Sequence, residues 1–166
     1  MASIQRDEQW TLAKKKEIRE AFKLFDKDNK GQVIQEEAPT IMRYLGVYPS
    51  EKDIVKEIIP AMMEEDMQTK TIAYDKFEAK MLEIISAGTY EPDSEEKLLQ
   101  AFRFLDPEGK GYIEASVMRD MLITKGVPFR EKEIDAFMAV AKDLETGRIY
   151  HEDYVALLCS WTTQGS

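Results

Sequence analysis

The sequence predicts an all-α fold in which four helix–loop–helix units form two paired lobes. The first observation behind this prediction is an internal repeat at an offset of 80 residues, in which Asp26 matches Asp106. The second is helical spacing of apolar residues, since Ile18, Phe22 and Phe25 lie four and three residues apart. The third is a short loop after this apolar face in each half, with Gly31 and Gly111 at matching positions. A repeat of this length indicates duplicated structural units.

Apolar periodicity, together with start and stop signals, predicts eight helices. They are expected at 12–25, 36–45, 50–62, 74–85, 93–105, 116–124, 130–141 and 151–161. Pro60 is expected to end or kink the third helix, because proline has no N–H to donate. Asp93 and Glu96 stand at the spacing of a capping box, which predicts that the second half begins there.

One apolar residue in each loop is expected to join the paired loops through a short two-stranded contact. The repeat predicts that Val33 pairs with Ile72 and that Ile113 pairs with Ile149. The offset falls from 80 to 77 before Ile72, because the first half carries three extra residues between positions 62 and 70. These pairings would hold each lobe together without a metal ion.

The repeat also predicts the domain organisation. We expect an N-terminal arm at 1–13, a first lobe at 14–86, a linker at 87–93 and a second lobe at 94–163. Gly88 stops the preceding helix, and Pro92 disfavours helix at Glu91. The sequence therefore predicts a bent linker and not one continuous helix between the lobes.

Composition narrows the range of functions. Asp and Glu outnumber Lys and Arg by 32 to 23, which gives a formal charge of −9. A surface of this charge repels nucleic acid and anionic membranes, so neither is expected as a partner. A single cysteine cannot form an internal disulfide, which indicates a reducing compartment such as the cytoplasm. Because the sequence also has a single histidine, few residues are available to form a catalytic triad or a zinc site.

The first loop, DKDNKGQVIQEE, has the form of an EF-hand calcium loop. Its candidate calcium ligands, at the first, third, seventh and twelfth positions, are Asp26, Asp28, Gln32 and Glu37. Lys30 at the fifth position carries a cation where an oxygen ligand belongs, and Ile34 at the ninth cannot hold a bridging water. The pattern predicts at most one weakly bound calcium ion and no cofactor that the protein requires.

The other three loops lack essential calcium ligands. The third loop ends at Val117 in place of the bidentate Glu, and the fourth begins at Lys142. The second loop ends at Lys76, and its acidic run at 64–66 is expected to be a solvated surface. Lysines are expected to neutralise the remaining carboxylates, with Lys30 close to Asp26 and Asp28 and Lys110 close to Asp106 and Glu108. Hydrophobic packing would then set the shape.

The second lobe carries the apolar side chains from which a partner groove could be built. Methionine is frequent, with nine residues, and its flexible side chain suits adaptable peptide grooves, although several methionines would simply fill cores. The predicted groove residues are Phe102, Leu105, Met118, Met121, Phe137, Met138, Tyr154, Leu158 and Trp161. The predicted mechanism is capture of a helix in this groove.

Between about residues 14 and 162 the sequence resembles the calmodulin and troponin C superfamily. It is more closely similar to the EF-hand subunit-eight family of the nexin–dynein regulatory complex, in the stretches EIREAFKLFD, RYLGVYPSEKDI, YEPDSEEKLLQAFRFLD, GVPFREKEIDAF and TGRIYHEDYVALL. The resemblance implies a small subunit of the ciliary or flagellar axoneme, part of the cytoskeleton, without catalytic residues. It also implies that the chain grips helical or IQ-type segments of larger regulatory-complex subunits within the axonemal doublet assembly.

Two functions remain open on these residues. The first is a constitutive subunit that clasps an amphipathic helix largely independently of calcium. The second is a calcium-sensing, calmodulin-like or myosin light-chain-like protein with one weak site in the first EF-hand, whose groove opens when the ion binds. The loss of ligands from three loops favours the first function.

Overall fold

The computed structural model describes residues 2–63 and 68–163, with side chains described at 5–63 and 68–160. The chain divides into two compact units, Met1–Pro92 and Asp93–Ser166, here called unit 1 and unit 2. Each unit contains two helix–loop–helix pairs whose loops meet in a small antiparallel ladder. The all-α, calmodulin-like architecture is therefore as predicted.

In unit 1 the helical segments are α1 (Ala2–Lys23), α2 (Ala38–Tyr44), α3 (Glu51–Asp53), α4 (Ile59–Met62) and α5 (Tyr74–Ala87). A 3₁₀ turn, Gln35–Glu37, leads into α2, and a π-helical segment, Ile54–Ile58, joins α3 to α4. In unit 2 the helices are α6 (Glu95–Leu105), α7 (Ala115–Thr124), α8 (Glu131–Ala141) and α9 (His151–Thr163).

Both predicted loop pairings are confirmed. Strand β1 (Gln32–Ile34) pairs antiparallel with β2 (Thr71–Ala73), and Val33 lies opposite Ile72. Strand β3 (Tyr112–Glu114) pairs with β4 (Arg148–Tyr150), and Ile113 lies opposite Ile149. These four central residues are buried, so each ladder contributes its middle pair to a core.

The starts of two helices differ from the prediction. Helix α1 begins at Ala2 and not near residue 12, because residues 2–16 contain neither Gly nor Pro and continue the helix. Helix α6 is capped by Ser94, whose hydroxyl accepts from the Lys97 N–H, and not by Asp93. Asp93 instead pairs with the Lys97 ammonium at 2.7 Å.

Pro60 does not end the third predicted helix, which continues to Met62. The chain accommodates the proline by a change of hydrogen-bond register just before it. The Ile59 N–H donates to the carbonyl of Ile54, five residues earlier, so the segment is π-helical and α4 starts with proline in its first turn. A proline in the first turn of a helix removes no intrahelical hydrogen bond.

The two units differ in how completely they bury their apolar residues. The core of unit 1 unites side chains of α1, α2, α5, the π segment and both strands, and its largest members are Phe22 and Phe77. In unit 2 the central cluster is smaller and consists of Ile113, Met118, Ala141 and Ile149, with half-buried apolar residues packed around it. Ile134 and Val155 are also fully buried in this unit. No helix within the described ranges has an apolar stretch long enough to cross a membrane.

Gly88 ends helix α5, as its position in the sequence predicts. Its φ of 62° is left-handed, and its N–H donates to the Ile85 carbonyl. The residues that follow stay with unit 1, because the Tyr48 N–H donates to the Tyr90 carbonyl at 2.8 Å and Tyr90 packs against the unit 1 core.

Candidate functional site

The first loop is closed by hydrogen bonds within the chain. The Asp26 carboxylate accepts from the backbone N–H of Lys30 at 3.0 Å and from that of Gly31 at 2.8 Å. Gly31 has a φ of 71°, so the turn requires a residue that tolerates the left-handed region. The Lys30 ammonium lies 3.7 Å from the Asp28 carboxylate, which is the neutralising contact predicted from the sequence.

The side chains of this loop do not form a complete calcium site. Calcium takes about six to eight oxygen ligands. Within residues 2–63 and 68–163, no three Asp, Glu, His or Cys side chains converge closely enough to share a metal ion. Asp26, Asp28 and Glu37 are therefore not gathered around one point, while Gln32 lies in strand β1 and pairs with Ala73. Weak calcium binding at this loop stays a prediction.

The loops of unit 2 are closed by internal charges and hydrogen bonds. The Lys110 ammonium pairs with Glu108, and this hydrogen bond raises the pKa of Lys110. In the fourth loop, Asp143 accepts from the N–H and the hydroxyl of Thr146, and these bonds lower the pKa of Asp143. The acidic run predicted to be solvated, at 64–66, lies outside the described residues.

The internal repeat provides a comparison between the apolar surfaces of the two units. Several side chains of unit 1 that are at most 2% exposed have larger exposure at the matching positions of unit 2. Six of them are Phe22, Ile41, Met42, Ile58, Phe77 and Met81. Their repeat partners in unit 2, all half-buried, are Phe102, Met121, Leu122, Met138, Tyr154 and Leu158. The same apolar pattern thus forms a closed core in unit 1 and a set of partly solvent-accessible side chains in unit 2. These side chains are here called the groove, after the role predicted for them from the sequence.

The structure brings most of the predicted groove residues to this surface. Phe102, Leu105, Phe137, Met138 and Tyr154 pack around the unit 2 core and remain half-buried, and Met121 and Leu158 are half-buried as well. Met118 differs, because it is 4% exposed and belongs to the core itself. The side chain of Trp161 lies outside the described residues.

Sequence reasoning missed Leu122 as a groove residue. It packs against the unit 2 core while remaining half-buried. The repeat contained the signal, since Leu122 lies 80 residues after Met42. Other exposed apolar side chains of unit 2, outside the predicted set, are Phe104, Val117, Ile123, Val127, Phe129, Val140, Leu144 and Leu157.

A chain of aromatic contacts runs through the groove. Phe102 meets Tyr154 edge-on with 5.9 Å between ring centroids, and Tyr154 meets Phe137 edge-on at 5.4 Å. On its other side Phe102 stacks on the imidazole of His151 at 5.3 Å. Burial raises the pKa of Tyr154, so its phenol stays neutral over the physiological range. Contacts of this kind couple the positions of the three aromatic rings.

The sequence of this chain is similar to those of several known proteins. No protein-family model matches the chain. Dynein regulatory complex protein 8 of Mus musculus is 32% identical over 143 residues, which cover 86% of this chain and 86% of that protein. Putative calmodulin-like protein 6 of Oryza sativa subsp. japonica is 33% identical over 147 residues, which cover 87% of this chain and 82% of that protein.

A solved structure shares the fold. The myosin II regulatory domain of Physarum polycephalum aligns with a TM-score of 0.67 and 28% sequence identity. The alignment covers 85% of this chain and 91% of that one. The similarity therefore extends over both units and is not limited to a single helix–loop–helix pair.

Proposed function

Because this chain belongs to the calmodulin-like EF-hand proteins, we propose that it is a non-catalytic subunit of a ciliary dynein regulatory complex. In this role it resides in the axonemal cytoskeleton, and the groove of unit 2 clasps an amphipathic or IQ-type helix of a larger subunit, largely independently of calcium. The name of the mouse relative supports the assembly. The surface of unit 2 supports the mode of binding.

The observation that carries the proposal is the difference between the repeat-related side chains of the two units. In unit 1, Phe22 and Phe77 are sealed in a core, while their counterparts Phe102 and Tyr154 stay half-exposed around the groove. Apolar surface left in water is unfavourable, by roughly 25 cal/mol for each Å². Covering it with the apolar face of a partner helix recovers that free energy.

Charge indicates what kind of helix would approach. The chain has a formal charge of −9, so its average surface attracts a basic segment and repels an acidic one. Such attraction raises the association rate more than the affinity. The expected partner is therefore an amphipathic helix with an apolar stripe and a basic polar face.

Calcium independence is supported by the chemistry of the loops. Lys30 faces Asp28 in the first loop, Lys110 pairs with Glu108 in the third, and Thr146 holds Asp143 in the fourth. The two lysines supply positive charge that a bound ion would otherwise supply, and the hydrogen bonds from Thr146 satisfy the Asp143 carboxylate. Opening of the groove therefore needs no ion in this proposal.

The test uses a synthetic helical peptide of about six turns, with an apolar stripe at i, i+4 and i+7 and lysines elsewhere. The control peptide has the same composition in an order that destroys this spacing. Calorimetry should give equal affinity for the helical peptide in chelator and in calcium, with no binding of the control. Met121→Glu should weaken binding at least about tenfold, since it places a charge in the groove.

The matched control variant is Leu144→Glu, which adds the same charge at a side chain that is 89% exposed. Leu144 is in the fourth loop and outside the groove, so its substitution should leave the affinity unchanged. Equal weakening by both variants would mean that charge, and not the groove, governs binding. Binding that requires calcium would refute the constitutive mode.

The alternative function is a calcium sensor, either calmodulin-like or myosin light-chain-like, with one weak site. Asp26, Asp28 and Glu37 in the first loop favour it, as does the calmodulin-like relative. Calcium titration by calorimetry should give at most one weak site under the constitutive proposal. Two or more micromolar sites would establish the sensor instead.

Substitution of Glu37 tests which loop produces any heat of calcium binding. Glu37 occupies the bidentate position of the first loop, so Glu37→Gln should abolish that heat. Heat that persists in this variant would assign the ion to another part of the chain.

A further inference from the structure

A buried polar pair lies on the loop side of unit 2. His151 and Asp106 are 4% and 9% exposed, and the imidazole Nε2 is 3.8 Å from the Asp106 Oδ2. This separation is too long for a hydrogen bond. Within the part of the chain that the structure describes, Nε2 is the buried side-chain polar atom without a hydrogen-bond partner. Buried polar atoms are nearly always paired, and the Asp106 carboxylate is the charged acceptor that faces this one.

The carboxylate that faces Nε2 is held in its charged form. Burial of the Asp106 carboxyl acts to raise its pKa, but the backbone N–H groups of Gly111 and Lys110 and the charge of His151 outweigh burial and lower it. The Gly111 N–H donates to Oδ2 at 2.8 Å. A fixed, charged acceptor therefore stands close to an imidazole nitrogen that could donate a proton to a hydrogen bond.

The other face of the imidazole contacts a groove residue. Its ring stacks on Phe102 with an interplanar angle of 23°, and Phe102 continues the aromatic contacts to Tyr154. A cation over the face of an aromatic ring is attracted by its quadrupole. A positive charge on His151 would thus be favourable toward both Asp106 and Phe102.

Unit 1 has no equivalent of this pair. At the position that corresponds to His151 it has Tyr74, whose hydroxyl donates to Glu78 and accepts from Arg19. Tyr74 also meets Phe22, the counterpart of Phe102, edge-on. The chain's single histidine therefore replaces a satisfied tyrosine, and it does so only in the unit that carries the groove.

A cavity of about 510 Å³ lies beside the third loop, and His151 and Asp106 are among the residues that line it. The titratable and charged groups that line it with His151 and Asp106 are Arg103 from α6, Lys110 from the third loop, Tyr150 from β4, and Glu152 and Asp153 from α9. Three carboxylates and two basic side chains thus line the cavity beside the imidazole.

We infer that His151 and Asp106 form a proton-operated clamp that links the third loop to helix α9 and fixes Phe102 in the groove. When His151 is protonated, Nε2–H moves the short distance to Asp106 and donates a charge-assisted hydrogen bond. When His151 is neutral, the clamp is open and Phe102 is less restrained. The effect on partner binding rests on the proposed function, whereas the effect on unit 2 does not.

The sign of the pH dependence follows from the bond that the clamp requires, because only a protonated imidazole brings both a donor at Nε2 and a positive charge to Asp106. The contribution of the clamp to unit 2 should therefore be larger at pH 5.5 than at pH 8. The stability of unit 1, which lacks the pair, should not follow this dependence.

The experiment is a double-mutant cycle of His151→Gln and Asp106→Asn in the full chain, at pH 5.5 and pH 8. The readout is the opening equilibrium of the β3–β4 amides from native-state hydrogen exchange, corrected for the intrinsic effect of pH. At pH 5.5 the two substitutions should be coupled by about tenfold in the opening equilibrium, because the wild type then has the charge-assisted hydrogen bond. At pH 8 that bond is absent, and no coupling is expected. Equal coupling at both pH values, or none at pH 5.5, would overturn the clamp.

A second measurement does not depend on how well the variants fold. Because the chain has one histidine, its imidazole NMR signals need no assignment. At pH 5.5 the wild type should show a slowly exchanging Nε2–H signal that Asp106→Asn loses. His151→Tyr, which copies unit 1, serves as the conservative variant if His151→Gln is unstable, and its β3–β4 amides should show no pH-dependent coupling to Asp106.

Binding of the helical peptide separates this inference from the proposed function. The wild type should bind more tightly at pH 5.5 than at pH 8, and His151→Gln should remove that difference. If His151 and Asp106 show pH-dependent coupling but no peptide binds, the groove proposal is refuted and the clamp stands. Peptide binding without the coupling would refute the clamp and leave the groove intact.

Discussion

Asp26 and Asp106 occupy the same position in the two halves of the repeat, but their surroundings differ. Both accept a hydrogen bond from the backbone N–H of a glycine five residues later, at 2.8 Å. Asp106 is also buried against His151, whereas Asp26 stays more open to solvent. The same residue type at the same loop position thus acquires a different electrostatic role from the helix that packs against it.

Asp106 should stabilise unit 2 in a pH-dependent way. Its pKa is lowered in the folded protein, so its contribution is present above about 3.9, the ordinary value for Asp, and is lost as the pH falls through the lower folded value. Asp106→Asn should therefore lower the melting temperature of unit 2 at pH 7, and the difference from the wild type should vanish near pH 2. Differential scanning calorimetry at both pH values measures this.

The control for this prediction is Asp28→Asn, which removes a carboxylate from the first loop without touching unit 2. Its side chain is 76% exposed and contacts only the Lys30 ammonium among the ion pairs of the described residues. An exposed pair of this kind contributes little. A shift as large as that of Asp106→Asn would contradict the assigned role of burial.

Helix boundaries in this protein depend on single capping groups. Ser50 and Ser94 each accept a hydrogen bond from the N–H three residues later, at 3.1 and 3.2 Å. Asp93 would also suit a cap, but it lies one residue too early and pairs with the Lys97 side chain. The register of α6 is therefore fixed by which side chain reaches the free N–H, and spacing in the sequence leaves both candidates open.

Substitution of the two residues separates these roles. Ser94→Ala should lower the free energy of unfolding of unit 2 by about 1 kcal/mol, because it leaves the Lys97 N–H without its acceptor. Asp93→Ala should have a much smaller effect, since the ion pair that it removes is solvent-exposed. Denaturant unfolding followed by amide signals of unit 2 compares the two, and a larger effect for Asp93→Ala would place the cap at Asp93.

The whole molecule combines one unit with a closed core and one with an accessible apolar surface. The unit 1 core unites α1, α2, α5, the π segment and both strands, while the unit 2 core leaves its aromatic rim half-buried. A closed unit gains its stability internally, whereas an open unit gains more of it from what covers the surface.

Repeat-related substitutions should reveal this difference. Met42→Ala should lower the free energy of unfolding of unit 1 by about 2–5 kcal/mol, because Met42 is fully buried. Leu122→Ala should cost unit 2 less, since the half-buried side chain loses less area on folding. Native-state hydrogen exchange resolves the two units in one sample, and equal losses would mean that unit 2 is closed in solution.

With the helical peptide bound, the relation should change. The cost of Leu122→Ala should then rise, because its side chain is covered in the complex, while the cost of Met42→Ala should stay the same. An unchanged Leu122→Ala effect would place the peptide elsewhere on the chain.

The sequence by itself determined the four helix–loop–helix units, the strand pairs Val33–Ile72 and Ile113–Ile149, and the loss of ligands from three loops. These features follow from the local spacing of apolar and loop residues, which occurs in both halves of the repeat. Only the tertiary structure decided that unit 1 is closed, that unit 2 is open, and that His151 faces Asp106 across 3.8 Å. The physical reason is that an apolar pattern predicts which side chains are favourable to bury. Their actual exposure depends on how closely the helices pack in three dimensions.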